Sequence, residues 1–101
     1  MDTKQLIKDA KARFDFNSQK QELKDKYEAK LIFADQGGLW TANSYLFSLL
    51  HFLTDDYVII IDNYGNPIQV NRSTLFTKAS TIYQTVMQQW HLELQTISEF
   101  K

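Results

Sequence analysis

Two histidines, an Asp- and Asn-rich turn, a glycine pair and two tryptophans are the side chains of this sequence whose types and spacing bear on chemistry. His51 lies within Leu49-Leu50-His51-Phe52-Leu53. A ligand or general base there needs a second polar partner, and the neighbouring residues supply none. His51 therefore reads as a core or boundary histidine satisfied by hydrogen bonds. His91 follows Trp90, with Glu93 two residues on, a spacing that puts His91 and Glu93 on different faces of a helix. The sequence has no His-x-x-x-His pair of the kind that holds zinc. It has no cysteine either, which excludes disulfides and thiolate metal sites.

Asp62-Asn63-Tyr64-Gly65-Asn66 has a partial likeness to a calcium loop. The alternating oxygen ligands and the terminal bidentate Glu of such a loop are missing. Asp and Asn have a plainer task here, hydrogen-bonding the backbone of a tight turn. Gly37-Gly38 has no phosphate-loop pattern around it and reads as a hairpin turn. Asp55-Asp56 reads as a solvated helix stop. Trp40 and Trp90 have no basic clusters beside them, so core packing is expected in place of a stacking platform for bases. No Ser/His/Asp or Cys/His constellation emerges. The expectation is a non-enzymatic protein with no catalytic residue, no cofactor and no metal.

Length and charge narrow the class. A chain of 101 residues makes one domain, residues 1–101, and 44% apolar content is enough for a core. Net charge is −1, but residues 1–30 hold eight of the eleven Lys/Arg and residues 31–101 only three. That mild asymmetry fits a solvated helix face better than a nucleic-acid footprint. The first residues lack the apolar core of a signal peptide, and no apolar run reaches the length of a membrane span. Partners are therefore expected to be proteins, with neither membrane nor nucleic acid.

The chain is organised around Tyr57–Val70. Val58 to Ile61 are four β-branched residues, followed by Asp62-Asn63-Tyr64-Gly65-Asn66-Pro67 and then Ile68 and Val70. That is a hairpin signature. The lack of alternation in Val58–Ile61 suggests a strand covered on both faces. Upstream, residues 29–35 read as a strand with Leu31 and Phe33 on one side and Ile32 and Ala34 on the other. The glycine pair supplies the positive φ of its turn, and residues 39–42 return as a second strand. Asn43 fits an N-cap for a helix running to about Leu53, apolar nearly all round and so expected to be buried. Asn71 or Ser73 caps a final helix to the C-terminus. Its stripe is Leu75, Ala79, Ile82, Val86, Trp90, Leu94 and Ile97, widened by Phe76, Tyr83 and Met87.

Residues 2–30 read as helix, one long element or two meeting near Asn17, with one preferred. Leu6, Ile7, Ala10 and Phe14 share one face, whereas Leu23 and Tyr27 point elsewhere. The order strand, turn, strand, Asn, helix occurs twice, a weak internal repeat. The fold expectation is α+β, in the order α-ββ-α-ββ-α: one antiparallel four-stranded sheet from two β-hairpins, with a long C-terminal helix and Trp90 packed on the sheet or the central helix.

Gly37-Gly38-Leu39-Trp40-Thr41, Asp62-Asn63-Tyr64-Gly65-Asn66-Pro67-Ile68 and residues 83–91 together resemble small uncharacterised proteins of contractile-tailed phages, cyanophages among them. The likeness covers residues 20–95 and consists of turns and core positions, so it implies a phage origin and assigns no catalytic residue. The expected role is protein–protein interaction, as a minor virion component or assembly factor. The alternative is an early phage protein that binds and inhibits a host defence or transcription factor. Either places the chain in host cytoplasm or virion. The two terminal helices carry more apolar surface than a sheet face and one short helix can cover. Leu94, Ile97, Phe100, Leu6 and Ile7 are accordingly the candidate interaction surface, for a homodimer or one tight protein partner. A monomer would instead fold the two helices on each other.

Overall fold

Tight turns of two different kinds shape the centre of the chain. The computed structural model describes the backbone of residues 3–99 and the side chains of residues 15–98. The elements are α1 (Thr3–Lys30), β1 (Ile32–Asp35), β2 (Gly38–Thr41), α2 (Ser44–Phe52), β3 (Tyr57–Ile61), β4 (Pro67–Asn71) and α3 (Arg72–Glu99). The fold is α+β, and α1 is one continuous helix of 28 residues. It has no Gly or Pro to interrupt it and is rich in Lys, Glu, Gln and Ala, which are good helix formers. It runs through Lys30, so β1 starts three residues later than the apolar pattern suggests.

β1 and β2 pair antiparallel across a two-residue loop, with Asp35 opposite Gly38. Gln36 (φ 50°) and Gly37 (φ 81°) carry the positive φ values, the signature of a type I′ turn. The expectation that the glycine pair would do this is corrected by one residue. Gly38 is needed for space: a Cβ there would sit 2.5 Å from Cζ2 of Trp40. Trp40 is 2% exposed, and its indole N–H donates to the Asp35 carbonyl at 2.8 Å. β3 and β4 pair across a three-residue loop, closed by Asp62 N–H to the Asn66 carbonyl at 2.9 Å, with Gly65 at φ 82°. That is the bulged three-residue hairpin loop, in which Gly takes the left-handed position.

The strands form two separate two-stranded sheets in place of the expected single sheet of four. The reason lies where the hairpins meet. The outward N–H of Leu39 donates to the Asp62 carboxylate at 3.1 Å, and its carbonyl accepts from Asn63 N–H at 2.7 Å. At the other end the Gln36 side chain accepts from Asn71 N–H at 2.7 Å and donates to the Asn71 carbonyl at 3.3 Å. A turn and an amide side chain occupy the places a strand ladder would need.

Asparagine caps set both later helices. Asn43 Oδ1 accepts from Leu46 N–H at 3.0 Å, and Asn71 Oδ1 accepts from Thr74 N–H at 3.0 Å. These bonds satisfy donors that a helix start leaves free. Arg72 ties the elements together, donating to the carbonyls of Leu50, near the end of α2, and Asp55. The core gathers Leu31, Phe33, Trp40, Leu46, Leu50, Val58, Ile60, Val70, Leu75 and Ala79, with Leu23 and Tyr27 from α1.

Two expectations about burial fail. The central helix is not buried all round, since only Leu46 and Leu50 are fully covered while Tyr45 and Phe52 are 74% and 81% exposed. Nor is β3 covered on both faces: Val58 and Ile60 face the core, whereas Tyr57, Ile59 and Ile61 are exposed. Each two-stranded sheet has elements packed on one side only, so its apolar run exceeds what the core receives.

The two turn glycines answer to different constraints, and substitution separates them. Gly38→Ala is expected to cost about 1–3 kcal/mol by overpacking against Trp40. At Gly65 an added Cβ meets no atom within 4 Å, so the cost of Gly65→Val, about 1–3 kcal/mol, comes chiefly from the positive φ. Urea unfolding of both variants checks this, and a calcium-dependent rise in the wild-type midpoint would overturn a purely structural Asp62–Asn66 turn.

Candidate interaction surface

α1 and α3 lie side by side and antiparallel. Lys26 and Tyr27 meet Trp90 and Glu93, while Asn17, Lys20, Gln21 and Lys24 flank Leu94. Each helix is about 42 Å long at 1.5 Å per residue. The molecule measures 65 × 24 × 21 Å, so the pair must run along its long axis. Its radius of gyration is 19.3 Å, against about 13 Å for a compact chain of this length. The terminal helices thus form an arm that projects from the hairpin body.

A polar and aromatic clasp holds this arm. The Tyr27 ring stacks on Trp90 with centroids 6.1 Å apart and planes 10° from parallel. The Tyr27 hydroxyl donates to Glu93 Oε1, which also accepts from Lys26 Nζ at 2.9 Å. Lys26 and Lys30 place their ammonium groups 5.0 and 4.9 Å from the Tyr27 ring centroid, within cation–π range. The charges respond accordingly. The Tyr27 hydroxyl first, then Lys26, holds the Glu93 carboxyl below its usual range. The same bond to Glu93, helped by burial, pushes the Tyr27 phenol up, and Glu93 likewise raises Lys26.

Trp90 therefore packs against Tyr27 of α1, which corrects the expected partner. Glu93, read from sequence only in relation to His91, turns out to serve α1. A sequence signal for this clasp was present: Leu23 and Tyr27 form a stripe of their own on α1, and Trp90 sits midway along the stripe of α3.

Of the five residues proposed from sequence as an interaction surface, two can be placed. Leu94 and Ile97 are partly buried and pack against the edge of the core. Leu6 and Ile7 belong to α1, but their side chains lie outside the described residues, as does Phe100. Much of the α3 stripe is spent on α1, the intramolecular outcome. What remains open is a groove of about 440 Å³ along Trp90 and Leu94, rimmed by Asn17, Lys20, Gln21 and Lys24. On the other side of Leu94 a shallow apolar hollow is lined by Met87, Trp90 and His91.

Other exposed apolar side chains lie elsewhere. Tyr57, Ile59 and Ile61 line the outer face of β3, Tyr64 sits in its turn, and Tyr45 and Phe52 stand on α2. Phe76 and Tyr83 on α3 are partly shielded by edge-on contacts with Phe47 at 5.7 and 5.6 Å. His51 is exposed and not the core or boundary histidine expected, because none of the described residues packs on the outward side of α2. His91 is exposed as well. Among the described residues no three His, Cys, Asp or Glu side chains converge on one point, and no helix is long and apolar enough to cross a membrane. No family model, no curated protein and no solved structure matches the chain.

The clasp makes two measurable demands. Trp90→Ala should cost about 2–3 kcal/mol, less than loss of a fully buried Trp because this ring keeps one side in the groove. The depressed carboxyl of Glu93 contributes stability that is present above about pH 4.3, the ordinary Glu value, and is lost as pH falls through the depressed one. Glu93→Gln should therefore melt below wild type at pH 7, with the two curves converging as the pH falls below the depressed value. The raised Tyr27 phenol contributes below about pH 10 and loses its contribution as pH rises through the raised value. Thermal melts of both proteins across pH check these signs.

Proposed function

We propose that this chain is a non-enzymatic phage protein that acts by binding another protein, as a minor virion component or an assembly factor. The observation that carries the proposal is the open groove along the α1–α3 arm. Trp90 and Leu94 stand there only partly covered, beside a groove whose rim carries Lys20 and Lys24. An apolar floor with a polar rim is the usual anatomy of a protein-binding patch, and a tryptophan at its centre is the side chain most often dominant in such contacts. The phage assignment rests on the resemblance of the turn motifs and residues 83–91 to small proteins of contractile-tailed phages. The absence of any paired nucleophile and base from the sequence supports a binding role over a catalytic one.

Two measurements test this. Mass spectrometry of purified virions is expected to find the chain at a stoichiometric level if it is a component. If it is an assembly factor, particles from a deletion strain should be incomplete, and Leu94→Glu should reproduce the defect while the protein stays folded. Complete, infectious particles that form without the chain and do not contain it would overturn the proposal and favour a host-directed inhibitor.

A further inference from the structure

The four strands present four sheet edges, and three of them are obstructed at one or more positions. On β1 the outward carbonyl of Ala34 accepts from Lys78 Nζ at 3.4 Å. On β2 the outward groups of Leu39 are taken by Asp62 and Asn63. On β4 Pro67 has no N–H to offer, and Asn71 is held by Gln36. Charges, prolines and covering turns are the devices by which proteins keep sheet edges from pairing.

β3 has none of them. Bonded and non-bonded residue pairs alternate along an antiparallel ladder. Asp62–Asn66 is a bonded pair, and Arg72 N–H donates to the Asp56 carbonyl at 2.8 Å. Ile60 and Val58 are therefore bonded to β4, while Tyr57, Ile59 and Ile61 turn their N–H and C=O groups away from it. Those groups meet no hydrogen-bond partner among the described residues. The same three side chains are 63%, 69% and 61% exposed, and the strand Tyr57–Ile61 contains no charge and no proline.

We infer that the β3 edge is a homodimer interface, occupied by β3 of a second copy running antiparallel about a twofold axis at Ile59. The occupant follows from the pattern. A strand with outward groups at 57, 59 and 61 is complementary to itself: Ile59 faces Ile59 of the second copy, and Tyr57 faces its Ile61. All the outward N–H and C=O groups then pair, and two hairpins become one four-stranded sheet with an unbroken Tyr–Ile stripe. Asp56 comes opposite Asp62 of the second copy, whose carboxylate three backbone N–H groups keep ionised, so a like-charge pair at each end weakens the dimer and keeps it reversible. Strand pairing of this kind covers the backbone edge and the adjoining flanks of Tyr57, Ile59 and Ile61 while their outer faces stay open, so the dimer is a small, reversible one. This surface is separate from the α1–α3 groove and stands or falls independently of any partner bound there.

Sedimentation equilibrium of the full chain over about 1–500 µM should show a monomer–dimer equilibrium in the micromolar range. Ile59→Lys places a charge on the twofold axis and Ile59→Pro removes an outward N–H without touching the β4 ladder; each should leave a monomer with wild-type circular dichroism. The chain lacks cysteine, so single cysteines report the register. Ile59→Cys should be joined to its mate by a short thiol–thiol cross-linker, because bonded partners lie about 5.5 Å apart. Tyr57→Cys should not, because residue 57 and its mate are four residues out of register, about 13 Å. A wild type that stays monomeric throughout would overturn the inference. So would a dimer that survives both Ile59 variants, or one lost with Leu94→Glu and kept with Ile59→Lys.

Discussion

The Asp62 carboxylate is the point on which the two halves of the body depend. Oδ1 accepts from the N–H groups of Tyr64 and Asn66 at 3.1 and 2.9 Å, and Oδ2 from Leu39 N–H at 3.1 Å. The side chain is 7% exposed, and these bonds, that from Asn66 foremost, hold its carboxyl below the usual range. A charge can be taken out of water here because three backbone donors replace its hydration. The same atoms shape one hairpin's turn and seal the other's edge. Asn63, next in sequence, adds its N–H to the Leu39 carbonyl and its side-chain amide to Thr41 Oγ1. Gln36 and Asn71 fasten the hairpins at a second point, and the helices follow from their asparagine caps.

Local chemistry was well written in the sequence. Asn43 and Asn71 announce the caps, Gly65 the left-handed turn position, and Leu31 and Phe33 the inward face of β1. All three depend on residues within a few positions of each other. The relation between the hairpins was not legible, because it rests on Asp62 meeting Leu39 and on Gln36 meeting Asn71, contacts 23 and 35 residues apart with no periodicity to mark them. Val58–Ile61 misled for a related reason. Four consecutive β-branched residues read as a strand buried on both faces, yet only Val58 and Ile60 reach the core. The candidate surface was legible in part. Periodicity placed Leu94 and Ile97 on the α3 stripe, and both are partly buried against the core, but the clasp needs Tyr27 and Glu93 to meet across 66 residues.

The repeated order of hairpin, asparagine cap and helix is present in space as well as in sequence. What distinguishes the halves is helix length: α2 has nine residues and α3 has 28. A helix of nine residues can be covered on one side by the body. One of 28 overshoots it, and only the equally long α1 gives the overshoot a partner. Tyr27 stacked on Trp90, with Glu93 closing the gap, is what that companionship consists of at atomic scale.

The proportions of the arm also govern how the molecule moves through solvent. A rod-like particle 65 Å long and little more than 20 Å across drags more water than a sphere of the same 11.9 kDa. Its frictional ratio is raised, so one copy diffuses slowly and emerges early from a sizing column, where a rounder protein of greater mass would appear. Rotation is affected unequally: tumbling of the long axis is slow, spinning about it fast. Amide bonds in α1 and α3, aligned with that axis, will relax as if they belonged to a heavier protein than the strands do.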